Sequence, residues 1–234
     1  MTRREMDNYS TDPGLARWAV RHAMNMAVMP DEERGRIVEP CCGDLSPFAA
    51  AGAELHLIPY GFDVREIKPP LWSIAGTGCG QFHIHDSNCE RVHPFVVDDD
   101  FRGGGFDIVA TNPPFSIGER VIRRSLQMVK PNGCAVFLVK MSFLSTQERS
   151  KLFVSRPPAE VWILRARPSF TGDGNTDVAQ EYAFVFWQGA GTDALMKAIG
   201  QRQTRLYWLD NSTMMAKPNR DGRGQRVAIE KGGE

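Results

Sequence analysis

The stretch "RIVEPCCGDLSPFAAAGAEL", Arg36 to Leu55, decides the fold class. Arg36 to Pro40 is an apolar run of strand length, Cys41 to Pro47 is a tight loop around Gly43, and the alanine-rich segment from Phe48 reads as a short helix. Strand, glycine loop and helix in that order form the first half of a crossover unit, the building block of parallel sheets.

The pattern continues on both sides. Before it, a turn at Asp12, Pro13 and Gly14 leads into a helix with Leu15, Trp18, Ala19, Ala23 and Met26 at helical spacing. After it, "HLIPYGFDV" (His56–Val64) reads as a second strand ending in Asp63, and "PFVVDDDF" (Pro94–Phe101) and "FDIVATNPP" (Phe106–Pro114) as two more. Lys68 to His93, rich in Gly, Pro, Cys and His and without a period, reads as a helix-poor insertion. The spacing of Val121, Ile122, Leu126 and Val129 predicts an amphipathic helix running to Pro131–Gly133. "CAVFLVKMSF" (Cys134–Phe143) is the next strand. In "STQERSKLFVS" (Ser145–Ser155), Ser145 and Glu148 fit a capping box at a helix start. "AEVWILRARPSF" and "EYAFVFWQG" are two final strands joined by "TGDGNTDVAQ". One domain over 1–215 with a flexible tail at 216–234 is expected.

Composition narrows the class without choosing a partner. Of 234 residues, 42% are apolar and 24% charged, so a packed core is expected. Lys plus Arg equals Asp plus Glu at 28 each, so no polyanionic partner is advertised by net charge, although arginines cluster at the start and between Gln201 and Arg226. Five cysteines form no paired framework, no signal-peptide pattern opens the chain, and no apolar run reaches bilayer length. A soluble cytoplasmic protein is expected, with no membrane partner.

Every polar strand end falls on one edge of such a sheet. Ligands of open parallel sheets bind at the carboxyl ends of the strands, where the strand order reverses. A glycine loop after the first strand lets a ligand approach backbone, and Asp63 at the next strand end can accept from ribose hydroxyls. "EPCCGD" is not a pyrophosphate fingerprint, and Glu39 would repel a phosphate. A nucleoside cofactor without phosphate and with a cationic end fits this edge, as S-adenosyl-L-methionine does.

These motifs together resemble the amino-group methyltransferases that use S-adenosylmethionine. "NPPF" (Asn112–Phe115) is similar to their catalytic motif, and "VEPCCGD" (Val38–Asp44) to their first cofactor motif, on Glu39, Pro40, Cys41 and Gly43. "GFDV" resembles the second, on Asp63 and Val64. "VVDDDF" resembles the third, with Asp100 beside Phe101 as the cofactor contact and Asp99 as its alternate. "NYSTDP" resembles the element beside the methionine moiety, with Tyr9 and Thr11. The resemblance implies a Rossmann-like class I fold, with a mostly parallel seven-stranded sheet and an antiparallel last strand. It also implies transfer of a methyl group to an exocyclic amine.

The chemistry explains the tandem proline. The Asn112 side-chain oxygen, which would also lie against the cofactor, and the Pro113 carbonyl can accept the two amine hydrogens and localise a lone pair otherwise delocalised into the base. Phe115 can stack on an extruded base, and Pro114 stiffens the corner. Asparagine at the first position leans the resemblance toward adenine N6, and "RPSFTGDGNTDVAQEYAFVFW" looks like the last strand pair of phage and prophage-type DNA adenine methyltransferases. DNA is therefore the expected partner, with RNA adenine, a protein glutamine, or a non-catalytic nucleic-acid or cofactor-binding module as alternatives. Arg165, Arg167 and Arg205 are candidate phosphate contacts. Cys79, His83, His85, Cys89 and His93 match no standard zinc spacing, and no metal is expected.

Overall fold

The computed structural model describes residues 10–29, 34–43, 45–63, 82–84, 105–168, 170 and 180–215. For Phe62, Asp63 and Phe82–Ile84 only the backbone is described. Its elements are α1 (Pro13–Met26), β1 (Arg36–Pro40), α2 (Pro47–Glu54), β2 (Ile58–Asp63), β3 (Phe82–Ile84) and β4 (Phe106–Thr111). They continue with α3 (Gly118–Ser125), β5 (Val129–Lys140), a 3₁₀ turn (Met141–Ser145) and α4 (Gln147–Ser155). The chain then forms β6 (Glu160–Leu164), β7 (Tyr182–Gln188), α5 (Ala190–Ala198) and β8 (Arg205–Leu209).

The strands form one sheet in the order β3-β2-β1-β4-β5-β7-β6-β8. All neighbours are parallel except β7, which runs antiparallel between β5 and β6. This is the mostly parallel α/β sheet with an antiparallel strand that the sequence predicts, with β8 added at one edge. Chain order reverses between β1 and β4, so the switch point lies there.

Both faces are covered, so strand residues alternate between two cores rather than between core and water. Ile37, Ile108, Val136 and Phe184 pack with α1 and α2. Val38, Val109, Phe137 and Val185 pack with Ile122 of α3 and Leu152 of α4. Asp12 caps α1 as its Oδ1 accepts from the Gly14 and Leu15 amides at 2.8 and 3.4 Å. The far end of α1 is held where Val28 N–H donates to the Asn132 carbonyl near the start of β5, so α1 runs antiparallel to the central strands. Its N-terminus therefore reaches the carboxyl edge, against Met214.

Three expectations need correction or extension. The helix predicted to reach Pro131 ends at Ser125, and Val129 to Gly133 belong to β5. The cause is tertiary: Lys130 Nζ reaches both oxygens of buried Asp107 at 2.9 and 3.0 Å, and Asp107 also accepts the Arg36 amide at 2.8 Å. These contacts draw the segment against β4, with a register shift between Phe106 and Ile108. The capping box is not formed. Thr146 is the N-cap of α4, without a side-chain bond, and the Ser145 hydroxyl donates to Ser142. Part of the segment read as an insertion, Phe82–Ile84, pairs with β2 as a sheet strand. The strand expected at 94–101 and the tail from 216 lie outside the described residues. No helix among the described residues is long and apolar enough to cross a membrane.

At the amino edge, buried Glu160 ties three elements together. Its carboxylate accepts from His22 of α1 and Trp162 of β6, both at 2.7 Å, and from Arg205 of β8 at 2.6 Å. Burial pushes its pKa up, but the Trp162 and His22 hydrogen bonds and the His22 and Arg205 charges outweigh it and hold the group below its ordinary value. A depressed carboxylate adds stability that is present above its unfolded pKa and is lost as pH falls through the folded one. Glu160→Gln should cost about 1–3 kcal/mol at pH 7, with the deficit shrinking below about pH 4. Urea melts of both proteins across pH 3–7 check this, and a deficit independent of pH would refute it.

Candidate active site

The first side of the site is the loop after β1. Gly43 lies in the left-handed region at φ 56°, as do Cys41 at 63° and Ser46 at 42°, two non-glycine residues in a conformation that carries strain. Ser46 helps to hold the loop, its N–H donating to Cys42 O and its hydroxyl to Gly43 O. Glu39, only 2% exposed, turns its Oε2 to the first amides of α2, accepting from Phe48 at 3.0 Å and Ala49 at 2.9 Å. A carboxylate thus already occupies the end of α2 where the helix dipole would favour an anion. A phosphate there would meet that charge.

The second side is the corner after β4, a strand buried at every position. Ile37 pairs with Ile108 and Val38 with Val109, so β1 and β4 end level with each other. The Thr111 hydroxyl, fully buried, donates to the Pro40 carbonyl and ties the two ends together. Asn112 therefore follows directly beside the Cys41 loop. Neither Pro113 nor Pro114 has an N–H to give. The Pro114 carbonyl accepts from Ile117, whereas no donor among the described residues bonds the Pro113 carbonyl. The Asn112 Oδ1 is a buried oxygen within this corner.

The Phe115 ring is half-buried, tilted against Tyr182 at 6.3 Å between centroids. The Lys140 ammonium, from the end of β5, lies over its face at 3.5 Å. Sequence reasoning missed Lys140, although it closes an apolar strand on the same edge as the other polar strand ends.

Thr11 precedes α1 at the carboxyl edge. It is 2% exposed, and its hydroxyl has no hydrogen-bond partner among the described residues. An orphaned buried hydroxyl is costly unless something else satisfies it. Asp63 ends β2 one position beyond Phe62, which pairs with Pro40, so its backbone stands level with Cys41. Tyr9, Val64, Asp99, Asp100 and Phe101 lie outside the described residues, as do Cys79, His85, Cys89 and His93; of His83 only the backbone is described.

The arginines expected to meet phosphate all have other partners. Arg165 pairs with Asp210 at 3.0 Å, Arg167 with Glu181 at 3.2 Å, and Arg205 with Glu160 at 2.6 Å. Arg205 starts β8 at the amino edge, opposite the site.

No family model matches the sequence, and no curated protein matches it. Solved structures share its fold. A protein of Listeria monocytogenes, assigned to the class I S-adenosylmethionine-dependent methyltransferases, superposes with a TM-score of 0.58 at 14% identity, over 88% of this chain and 68% of its own. A chain from a type I R-M system gives 0.52 at 14% identity, over 92% of this chain and 48% of its own, so this chain spans about half of that protein. A Thermoplasma acidophilum protein gives 0.51 at 13% identity, over 78% and 90%. The fold is the Rossmann-like α/β fold of class I methyltransferases.

Glu39→Ala removes the acceptor of two buried amides and should lower stability by about 1–3 kcal/mol, with Glu39→Gln milder because it keeps one oxygen. Chemical denaturation of the two variants checks the order. Equal losses would mean that the carboxylate does not hold α2.

Proposed function

We propose that this chain transfers a methyl group from S-adenosyl-L-methionine to the exocyclic N6 amine of adenine in DNA. The observation that carries the reading is the switch point itself. The strained loop after β1 and the Asn112–Phe115 corner after β4 stand side by side, joined through Thr111 and Pro40.

The residues present fit the cofactor. The amides of α2 are already turned to Glu39, which suits a ligand without phosphate. Gly43 and Cys41 bring backbone to the ligand's side, and the orphaned Thr11 hydroxyl offers a polar contact at the same edge. Tyr9, Pro40, Asp63, Val64, Asp99, Asp100 and Phe101 complete the proposed cofactor set from their sequence motifs. When bound, the cofactor supplies a methyl already activated as a sulfonium, so no covalent nucleophile is required of the protein.

The chain's own work is to aim the amine. An exocyclic amine is a poor nucleophile while its lone pair is delocalised into the ring. The Asn112 Oδ1 and the Pro113 carbonyl accept its two hydrogens and draw the lone pair out of the ring plane toward the methyl. With the cofactor bound, the amine nitrogen held by Asn112 and Pro113 would take the methyl in exchange for its bond to sulfur, leaving a neutral thioether, and one amine proton would be released to solvent. The unbonded Pro113 carbonyl among the described residues supports this, because the tandem proline leaves it rigid and available. Phe115 supplies a flat face for a base taken out of its stack. The R-M protein of like fold agrees with DNA as acceptor.

Transfer of labelled methyl to DNA, to RNA and to a glutamine-bearing release factor, by the wild type and by Asn112→Ala, tests the reading. Adenine in DNA should be labelled, and Asn112→Ala should lower kcat about 10²–10³-fold, more than it weakens cofactor binding. Label on RNA alone or on glutamine alone would replace the acceptor. Cofactor binding with no labelled acceptor would favour a binding module. Unchanged labelling by Asn112→Ala would overturn the chemistry.

A further inference from the structure

One edge of the sheet is open. β8 pairs with β6 on its inner side, and no strand among the described residues pairs with its outer side. The Arg205 N–H donates to the Ala159 carbonyl, and the Leu209 carbonyl accepts from the Arg165 N–H. Peptide groups alternate along a strand, so those of Arg205, Tyr207 and Leu209 turn to β6, and those of Leu206 and Trp208 turn outward. The side chains of these two outward residues are exposed as well, at 52% and 62%. They stand in register with Val161 and Ile163, so they continue the face of the sheet that α3 and α4 cover further in. On the opposite face Tyr207 stacks on Trp162, with 4.3 Å between ring centroids.

Exposed edges are ordinarily guarded by charge, proline or a bulge. β8 has none of these between Arg205 and Asp210: its register against β6 is unbroken, and its outward residues are leucine and tryptophan. The strand is also complementary to itself. Arg205 lies at its start and Asp210 just past its end, and both side chains are more than half exposed. Antiparallel alignment brings each Arg205 toward the Asp210 of the other strand, whereas parallel alignment sets like charge beside like. Each is already offset within the chain, Arg205 by Glu160 and Asp210 by Arg165, so no net charge at either end repels a copy.

We propose that β8 is a docking edge for a second copy of this chain, whose own β8 pairs with it antiparallel about a two-fold axis at Tyr207. In that register Leu206 of each copy stands opposite Trp208 of the other. Both are outward-turned residues, so each such pair exchanges N–H to carbonyl hydrogen bonds in both directions. Directly opposed side chains share a face. The leucines and tryptophans of the two copies therefore form one apolar cluster beside Val161 and Ile163, and the tyrosines meet on the other face. The interface is isologous and closes at two copies, which leaves no open edge of β8 for further addition. The axis is perpendicular to the sheet and reverses strand direction, so the two Asn112 corners point opposite ways. β5, β7 and β6 separate each site from the contact, which stands independently of the methyl-transfer reading.

The test is analytical ultracentrifugation of the full chain over a concentration series, for wild type, Trp208→Pro and Trp208→Lys. Trp208→Pro removes an outward N–H and leaves the ladder to β6 intact, and Trp208→Lys places a charge on the contact face. Circular dichroism and urea midpoints show that both variants are folded. Wild type should form a dimer, and each variant should raise its dissociation constant about 10–100-fold, because the substitution acts twice in a two-fold interface. Tyr207→Cys should cross-link to its counterpart under a mild oxidant, since residues facing each other in a non-hydrogen-bonded pair lie about 4.5 Å apart at Cα, within disulfide reach. Leu209→Cys and the wild-type chain should not. A wild-type chain that is monomeric at every concentration would overturn the proposal, as would a dimer that neither variant weakens. Cross-linking of Leu209→Cys as readily as Tyr207→Cys would overturn the register.

Discussion

The structure depends on the parallel pairing of β1 with β4. Both strands are buried, and neither is next to the other in sequence. The register that puts Ile37 beside Ile108 and Val38 beside Val109 decides which loops meet at the carboxyl edge. A slip of one residue would swap the two cores, because Ile37 and Ile108 belong to the α1–α2 side and Val38 and Val109 to the other. The Thr111 hydroxyl on the Pro40 carbonyl closes the pair at the point where both strands stop. Everything proposed for the site follows from those two strands ending level.

Local chemistry is then arranged around that level end. Glu39 is both the last inward acid of β1 and the partner of the first α2 amides, so one side chain sets the direction in which the loop leaves and the helix returns. The strain at Cys41 and Ser46 is held by this anchoring and by the Ser46 hydrogen bonds. Across the switch point the tandem proline stiffens the second loop, whose Pro114 carbonyl accepts from the Ile117 N–H. Two stiff loops, one bent by left-handed backbone and one by proline rings, face each other over the end of the sheet.

Most of the frame was legible because a sheet covered on both faces writes its strands as continuous apolar runs, of which Phe106 to Thr111 is the cleanest. Asp12 and Pro13 announced the start of α1 by their capping chemistry. The exceptions share a cause. Val129 and Lys130 carry a helical spacing, and only the buried Asp107, distant in sequence, draws them into β5. α5 buries no residue, and Leu206 and Trp208 of β8 are exposed, so neither element shows an inward stripe. The site divides in the same way. The Asn112–Phe115 corner and the Cys41–Gly43 loop declared themselves by residue type, because tandem proline and glycine mark tight backbone turns whatever surrounds them. The partners of Arg165, Arg167 and Arg205, and the cations resting on Phe115 and Phe143, depend on contacts between distant segments that no local pattern records.

The central claim is that one cleft, bounded by the Cys41–Gly43 loop and the Asn112–Phe115 corner, holds the methyl donor beside the acceptor amine. A crystal structure with S-adenosylhomocysteine, the demethylated cofactor, tests it most directly. The account predicts the ligand across the carboxyl ends of β1 and β4, with its thioether sulfur turned toward Asn112 and its amino-acid end near Thr11. Ligand bound at the amino edge, or with its sulfur turned away from the proline corner, would contradict it.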